Sequence, residues 1–172
     1  MKKIILVFAV ALFSATTMQA QEFEVGTNAV NFGIGLGGGY YNAASGVSIS
    51  PGFSVSYERG IWDAGPGVVS LGAFGGYKSY DLGSSVDLSQ LTFGVRGAYH
   101  YTGFDIDNLD VYGGVAISFD RYGYDGSNLS DYNDTNFGAF IGGRWYFSDT
   151  FAVFAEAGYG ASVLTLGVSL RF

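Results

Sequence analysis

Few side chains in this sequence could do chemistry, and the single histidine, His100, is the first to consider. A histidine can activate a serine nucleophile only when the two side chains come within hydrogen-bonding distance. His100 is followed by Tyr101 and Thr102, and no serine stands at the next position on the same face. The chain also has no cysteine to act as a nucleophile or a thiolate ligand. We therefore expect no catalytic residues, no metal site, no cofactor and no enzymatic activity.

Two further stretches resemble binding motifs but lack features that such sites need. Residues 33–38 read G-x-G-x-x-G, but apolar residues alternate through them, whereas a dinucleotide site needs a strand followed by a helix. Residues 125–134 are rich in side-chain oxygen atoms, yet they lack the spacing and the closing glutamate of an EF-hand. We interpret the first stretch as the glycine-lined face of a strand. The second is interpreted as a solvated loop, with weak cation binding as the alternative.

Strict alternation is clearest in residues 163–172, the final segment. Successive strand residues point to opposite faces, so residues at every second position share one face. In this segment one face is wholly apolar and holds Leu164, Leu166, Val168, Leu170 and Phe172. Similar alternation occurs in seven earlier segments, at residues 28–41, 47–59, 68–79, 89–101, 110–122, 136–147 and 151–159. Pro51 interrupts the second segment, where we expect a bulge or a bend. The sequence therefore predicts eight strands.

The length of these segments discriminates between classes of β protein. Strands of soluble proteins are most often about five or six residues long. An apolar band of about 25 Å crossed at a tilt of about 40° needs roughly ten residues in each strand. The eight segments reach or approach that length, and short connections favour an up-and-down order. The predicted fold class is all-β, an eight-stranded antiparallel up-and-down transmembrane β-barrel.

The two faces of the strands differ as they would in a membrane. Aromatic residues lie near the strand ends of the apolar face, as interfacial girdles would: Tyr57, Tyr77, Tyr101, Trp145, Phe147, Phe151 and Phe172. The opposite face holds nearly all strand charges: Glu58, Lys78, Arg96, Asp120, Arg144, Glu156 and Arg171, with Arg121 as an exception near a rim. A soluble lipocalin-like barrel would need the bulky apolar face inside, where eight strands leave too little room.

The amino-terminal residues have the features of a secretory signal peptide. Lys2 and Lys3 precede an apolar run at residues 4–13, and small residues follow as far as Ala20. We expect cleavage after Ala20, so that residues 1–20 are the signal peptide and residues 21–172 the barrel domain. The rest of the chain has no apolar run of about 18 residues, which predicts no transmembrane helix. The net charge of −7 argues against nucleic acid as a partner.

Five inward-facing charges from five different strands are predicted to pair in the lumen: Glu58, Arg96, Arg144, Glu156 and Arg171. An eight-stranded barrel has an interior that side chains can fill. Opposite charges taken out of bulk water are costly unless they are paired. We therefore expect a charge network that closes the pore.

From residue 28 to residue 172 the chain resembles small eight-stranded outer-membrane proteins of the OmpA and OmpX type. It is especially similar to the porin-family barrels of Bacteroidetes. The matching stretches are residues 57–60 (YERG), 140–147 (FIGGRWYF) and 154–160 (FAEAGYG), followed by the final strand. The resemblance also implies that Phe172, at the end of an alternating strand, is a signal read by barrel-assembly machinery.

This resemblance implies a location in the outer membrane of a Gram-negative bacterium. The expected partners are outer-membrane lipid, lipopolysaccharide and the assembly machinery, with the barrel as a monomer. The function that we expect is a structural or interaction role with little or no pore activity. Two alternatives stay open, a lipid A-modifying barrel enzyme and a narrow porin for small solutes.

Overall fold

The computed structural model of the chain describes residues 23–37, 48–81, 87–104, 106–125, 130–159 and 162–172. The predicted signal peptide and the predicted loop at residues 42–46 lie outside these residues. The described residues contain β1 (Asn28–Leu36), β2 (Ser48–Ile49), β3 (Gly52–Asp63), β4 (Gly67–Asp81), β5 (Asp87–Tyr101), β6 (Leu109–Asp125), β7 (Tyr132–Tyr146), β8 (Phe151–Tyr159) and β9 (Leu164–Arg171).

These segments form one antiparallel sheet that closes on itself. From β3 onward each strand pairs with the next along the chain, and β1 joins the two ends by pairing with both β3 and β9. The short β2 pairs with β4 beside β3, so that β2 and β3 are two parts of one barrel strand. The predicted fold class is confirmed: the chain forms a closed eight-stranded up-and-down antiparallel barrel.

The break between β2 and β3 contains Pro51. Proline has no backbone N–H to give to a ladder, which is why it is found at breaks and bulges. Ser50 still donates its backbone N–H to the carbonyl of Ser79 at 3.1 Å, so that contact with β4 continues up to the proline. The ladder resumes with Phe53 opposite Tyr77. The expected irregularity is therefore a short interruption of the strand.

Several strands extend further than the sequence predicts. β6 continues to Asp125 and β7 begins at Tyr132, four residues earlier than expected. The added part of β7 includes Asn133 and Asp134, which pair with Arg121 and Asp120 of β6. Because these strand ends contain polar residues, apolar alternation does not predict them. The predicted end of the first strand, residues 38–41, lies outside the described residues.

The burial of side chains is inverted relative to a soluble protein. Among the described residues, 14 polar or charged side chains are buried against 11 hydrophobic ones, whereas charged residues of soluble proteins are rarely buried. The outer face exposes large apolar side chains such as Phe53 (67%) and Phe137 (70%). All seven predicted girdle residues are exposed as well. The described residues include no helix long and apolar enough to cross a membrane.

A short segment ahead of β1, residues 23–27, folds across the end of β3. The backbone N–H of Gly26 donates to the carbonyl of Gly60 at 3.0 Å, and the N–H of Gly60 donates to the carbonyl of Thr27 at 2.9 Å. A Cβ atom on Gly60 would clash with the carbonyl oxygen of Glu24. Gly60 is therefore the residue that lets this segment lie against the barrel.

We predict that the barrel resists SDS at room temperature and unfolds only on heating. Its ladder is closed, and a closed sheet leaves no free edge from which to separate. Unboiled and boiled samples should therefore migrate differently on a gel, and circular dichroism should report β structure. Equal migration together with a helical spectrum would contradict the fold.

Candidate functional site

A layer of polar side chains crosses the lumen near the end of the barrel where β1 begins and β9 ends. Six strands contribute one residue each to this polar layer: Asn31, Glu58, Ser70, His100, Asp110 and Arg144. The Arg144 guanidinium contacts the Glu58 carboxylate and lies 2.6 Å from Asp110 Oδ2. Arg144 Nε also donates to Asn31 Oδ1 at 3.2 Å. One cation on β7 thus bridges carboxylates of β3 and β6 across the lumen.

His100 contacts three members of the polar layer. Its Nδ1 lies 2.8 Å from Asp110 Oδ1, and its Nε2 lies 3.0 Å from Ser70 Oγ and 3.7 Å from Glu58 Oε2. Ser70, His100 and Glu58 have no exposed surface. The sequence-based expectation that His100 has no serine partner is therefore wrong. The partner is Ser70 on the neighbouring strand β4, and not a residue of β5 itself.

Phe23 covers His100 from the end of the barrel. The two rings are stacked, with centroids 3.7 Å apart and planes inclined by 6°. Phe23 is 2% exposed and packs in an apolar cluster with Ala29 and Val68. The segment at residues 23–27 therefore places an aromatic ring between the polar layer and the solvent at this end.

A second ion pair crosses the lumen between β5 and β8. Arg96 Nη2 lies 2.7 Å from Glu156 Oε2, and the Arg96 guanidinium carbon lies 3.9 Å from the centre of the Phe140 ring. The Tyr112 hydroxyl donates to Glu156 Oε2 at 3.3 Å. The Tyr112 ring lies 4.4 Å from the guanidinium carbon of Arg144. Tyr112 therefore connects the Arg96–Glu156 pair with the polar layer.

The two other residues singled out from the sequence lie at the rim. The Arg171 guanidinium carbon is 4.2 Å from the Tyr146 ring centre, and Nε donates to the carbonyl of Asp149 at 3.0 Å. The Phe172 side chain is 72% exposed, while its backbone pairs with Asn28 at 3.0 and 3.1 Å. The structure thus brings four of the five predicted network residues into two pairs and places Arg171 against an aromatic ring.

Neutral donors surround a carboxylate further along the lumen. Asp120 is 1% exposed and accepts hydrogen bonds from Gln90 at 3.0 Å, from Ser118 at 2.9 Å and from Asn136 at 2.9 Å, with Thr92 as a further partner. In the described ranges no group of three or more His, Asp or Glu side chains is placed to hold a metal ion. Amide and hydroxyl groups of the surrounding side chains therefore provide the hydrogen bonds of this buried carboxylate.

A cavity of about 130 Å³ lies in the same part of the lumen. Small residues such as Gly76 and Gly138 leave this space open, and its polar lining includes Lys78, Arg96 and Glu156. A space of this size holds a few water molecules. His100, Asp110 and Arg144 do not line it. The polar layer therefore separates the cavity from the end of the barrel that Phe23 covers.

Sequence reasoning missed Ser70, Asp110, Asn31 and Phe23. Asp110 has the same alternation as the inward-facing Tyr112, so that its orientation could have been predicted. Its contact with His100 follows from the pairing of His100 with Tyr112 across β5 and β6, which alternation does not reveal. Phe23 precedes the first strand and has no periodic signal.

Comparisons with known proteins support the fold. No family model matches the chain, and no curated protein matches it. Among solved structures it is similar to OprG from Pseudomonas aeruginosa, with 13% identity, a TM-score of 0.56, and coverage of 88% of this chain and 98% of that chain. The barrel domain of OprF from the same organism has 15% identity and a TM-score of 0.53, with coverage of 86% and 98%.

A third similar structure is Ail of Yersinia pestis, solved with the heparin analogue sucrose octasulfate. It has 11% identity and a TM-score of 0.55, with coverage of 86% of this chain and 99% of that chain. At these identities the likeness shows the fold alone. The fold is that of eight-stranded outer-membrane barrels.

We predict that Arg144→Ala destabilises the barrel strongly. The substitution leaves Glu58 and Asp110 buried without their cation, and breaking a buried ion pair costs about 3–5 kcal/mol. The control is Arg121→Ala, because Arg121 is 63% exposed and 3.5 Å from Asp131. We expect a change of less than about 1 kcal/mol for the control. Urea unfolding in lipid vesicles measures both, and equal midpoints would contradict the prediction.

Proposed function

We propose that this chain is an outer-membrane barrel with a closed lumen, which has a structural or interaction role and little or no pore activity. The observation that carries the proposal is the polar layer, in which side chains from six strands meet across the lumen. Arg144 is fully buried within that layer, and Phe23 covers it from one end. A continuous water path through these groups would require the charged pairs to separate.

The outer face supports a location in a membrane. Exposed apolar residues surround the barrel, and aromatic residues cluster towards the strand ends. An exposed apolar surface of this extent is unfavourable in water and favourable in lipid. The similarity to outer-membrane barrels supports the outer membrane as the location, with lipid and lipopolysaccharide as the surroundings. We also group the chain with OmpA-type and OmpX-type barrels, including those of Bacteroidetes, because residues 57–60, 140–147 and 154–160 resemble stretches of such barrels.

The structure bears differently on the two alternatives. A narrow porin would need the cavity to continue to the other end of the lumen, and the polar layer lies in that path. A lipid A-modifying enzyme would need its reactive groups within reach of the bilayer. His100 and Ser70 have no exposed surface and face the lumen, so that lipid on the outside cannot contact them. The closed barrel is therefore the function that the geometry favours.

We predict that the wild-type protein conducts ions poorly and that Glu58→Ala/Arg144→Ala opens the lumen. The double variant removes one pair of opposite charges from the polar layer, so that Asp110 is the one carboxylate of the layer that loses its contact with Arg144. Single-channel recording in planar bilayers measures the effect. Glu156→Ala is the control, because it changes the second ion pair and leaves the polar layer in place. Steady wild-type channels would contradict the closed lumen and support the narrow porin.

A further inference from the structure

We propose that Ser70, His100 and Asp110 form a latent acyl-transfer site that hydrolyses small water-soluble esters when Phe23 is displaced. The site shares these three residues with the polar layer, but the proposed activity goes beyond the closed-barrel function and does not depend on it. The three residues come from the adjacent strands β4, β5 and β6. Paired barrel strands hold their backbones firmly, which suits groups that must keep a fixed geometry.

The distances match a nucleophile, a base and an orienting carboxylate. Ser70 Oγ lies 3.0 Å from His100 Nε2, and His100 Nδ1 lies 2.8 Å from Asp110 Oδ1. Both are within the range of 2.6–3.2 Å expected for such an arrangement. With the Nδ1 proton donated to Asp110, Nε2 is left to accept the hydroxyl proton of Ser70.

Glu58 offers Ser70 a second acceptor, and the contacts show which acceptor is closer. Glu58 Oε2 lies 3.3 Å from Ser70 Oγ, against 3.0 Å for His100 Nε2. The Glu58 carboxylate is also in contact with the Arg144 guanidinium, which balances its charge. The closer partner of the serine hydroxyl is therefore the imidazole.

The position of the site limits what can react there. The three side chains face the lumen and are buried, so that acyl chains embedded in the bilayer cannot reach them. Phe23 stacks on the imidazole from the end of the barrel. Two backbone hydrogen bonds with Gly60 hold its segment, just beyond the last register pair of β1 and β3. Displacing that segment uncovers the ring to small esters in the aqueous phase at that end.

The reaction follows from the three groups and water. Ser70 Oγ attacks the ester carbonyl carbon while its proton passes to His100 Nε2. The carbon–oxygen bond to the alcohol then breaks, and the alcohol leaves with that proton. Water attacks the resulting acyl-serine with His100 as base again, which releases the carboxylic acid and restores the serine. Asp110 acts as a positioning residue, because it holds the imidazole without touching the ester.

The test uses Phe23→Ala, which removes the ring that covers the site, in the refolded full-length barrel. We expect hydrolysis of p-nitrophenyl acetate by this variant to be at least about tenfold faster than by Phe23→Ala/Ser70→Ala. A fluorophosphonate probe should label Phe23→Ala at Ser70 and leave Phe23→Ala/Ser70→Ala unlabelled. Phe23→Ala/Ser56→Ala is the matched control, because Ser56 is another buried inward serine and hydrogen-bonds Asn31.

Asp110→Asn in the Phe23→Ala background tests the positioning role. We expect kcat to fall while KM stays the same, whereas a purely structural residue would change the folded fraction on the gel. If Phe23→Ala does not fold, Gly60→Ala is used in its place. The added Cβ atom clashes with the carbonyl oxygen of Glu24 and so displaces the same segment. Folded protein without labelling of Ser70, or equal hydrolysis with and without Ser70, would overturn the proposal. Both outcomes leave the conductance test of the closed lumen unaffected.

Discussion

The contact of Arg144 with Glu58 and Asp110 is the interaction on which the interior of this barrel depends. A guanidinium without exposed surface is costly unless carboxylates surround it, and here they come from two other strands. This arrangement fixes the positions of the carboxylates, and they in turn fix His100. The polar interior follows from the exterior, because a barrel with an apolar outer face must place its charges inside.

The alternation of residue types was sufficient to predict most of the fold. Strand residues have a side-chain period of two, so that faces, strand number and the inward position of residues such as Glu58 and Arg96 could be read directly. The extensions of β6 and β7 could not, because Asn133 and Asp134 carry no apolar signal. The sequence predicts an irregularity at Pro51 but not its kind, since a proline is compatible with a bulge, a bend or an interruption of the strand.

Which inward residues meet depends on the stagger between strands, and alternation contains no information about stagger. Val68 is the register partner of His100, and Ser70 lies two residues further along β4. Only the paired strands show that the side chains of Ser70 and His100 are close enough to contact each other. The same limit explains why Asp110 was missed as the partner of Arg144. The segment with Phe23 was missed for another reason, because it precedes every strand and its residues show no periodic pattern.

The span of the polar layer along the chain has a consequence for the order of folding. Arg144 hydrogen-bonds Asn31, which is 113 residues away, and β1 completes the sheet by pairing with both β3 and β9. Contacts so distant in sequence form slowly, since a long loop must close before they contribute. A partly assembled sheet would hold the guanidinium without its full set of acceptors. Insertion and closure should therefore be strongly cooperative, with few stable intermediates.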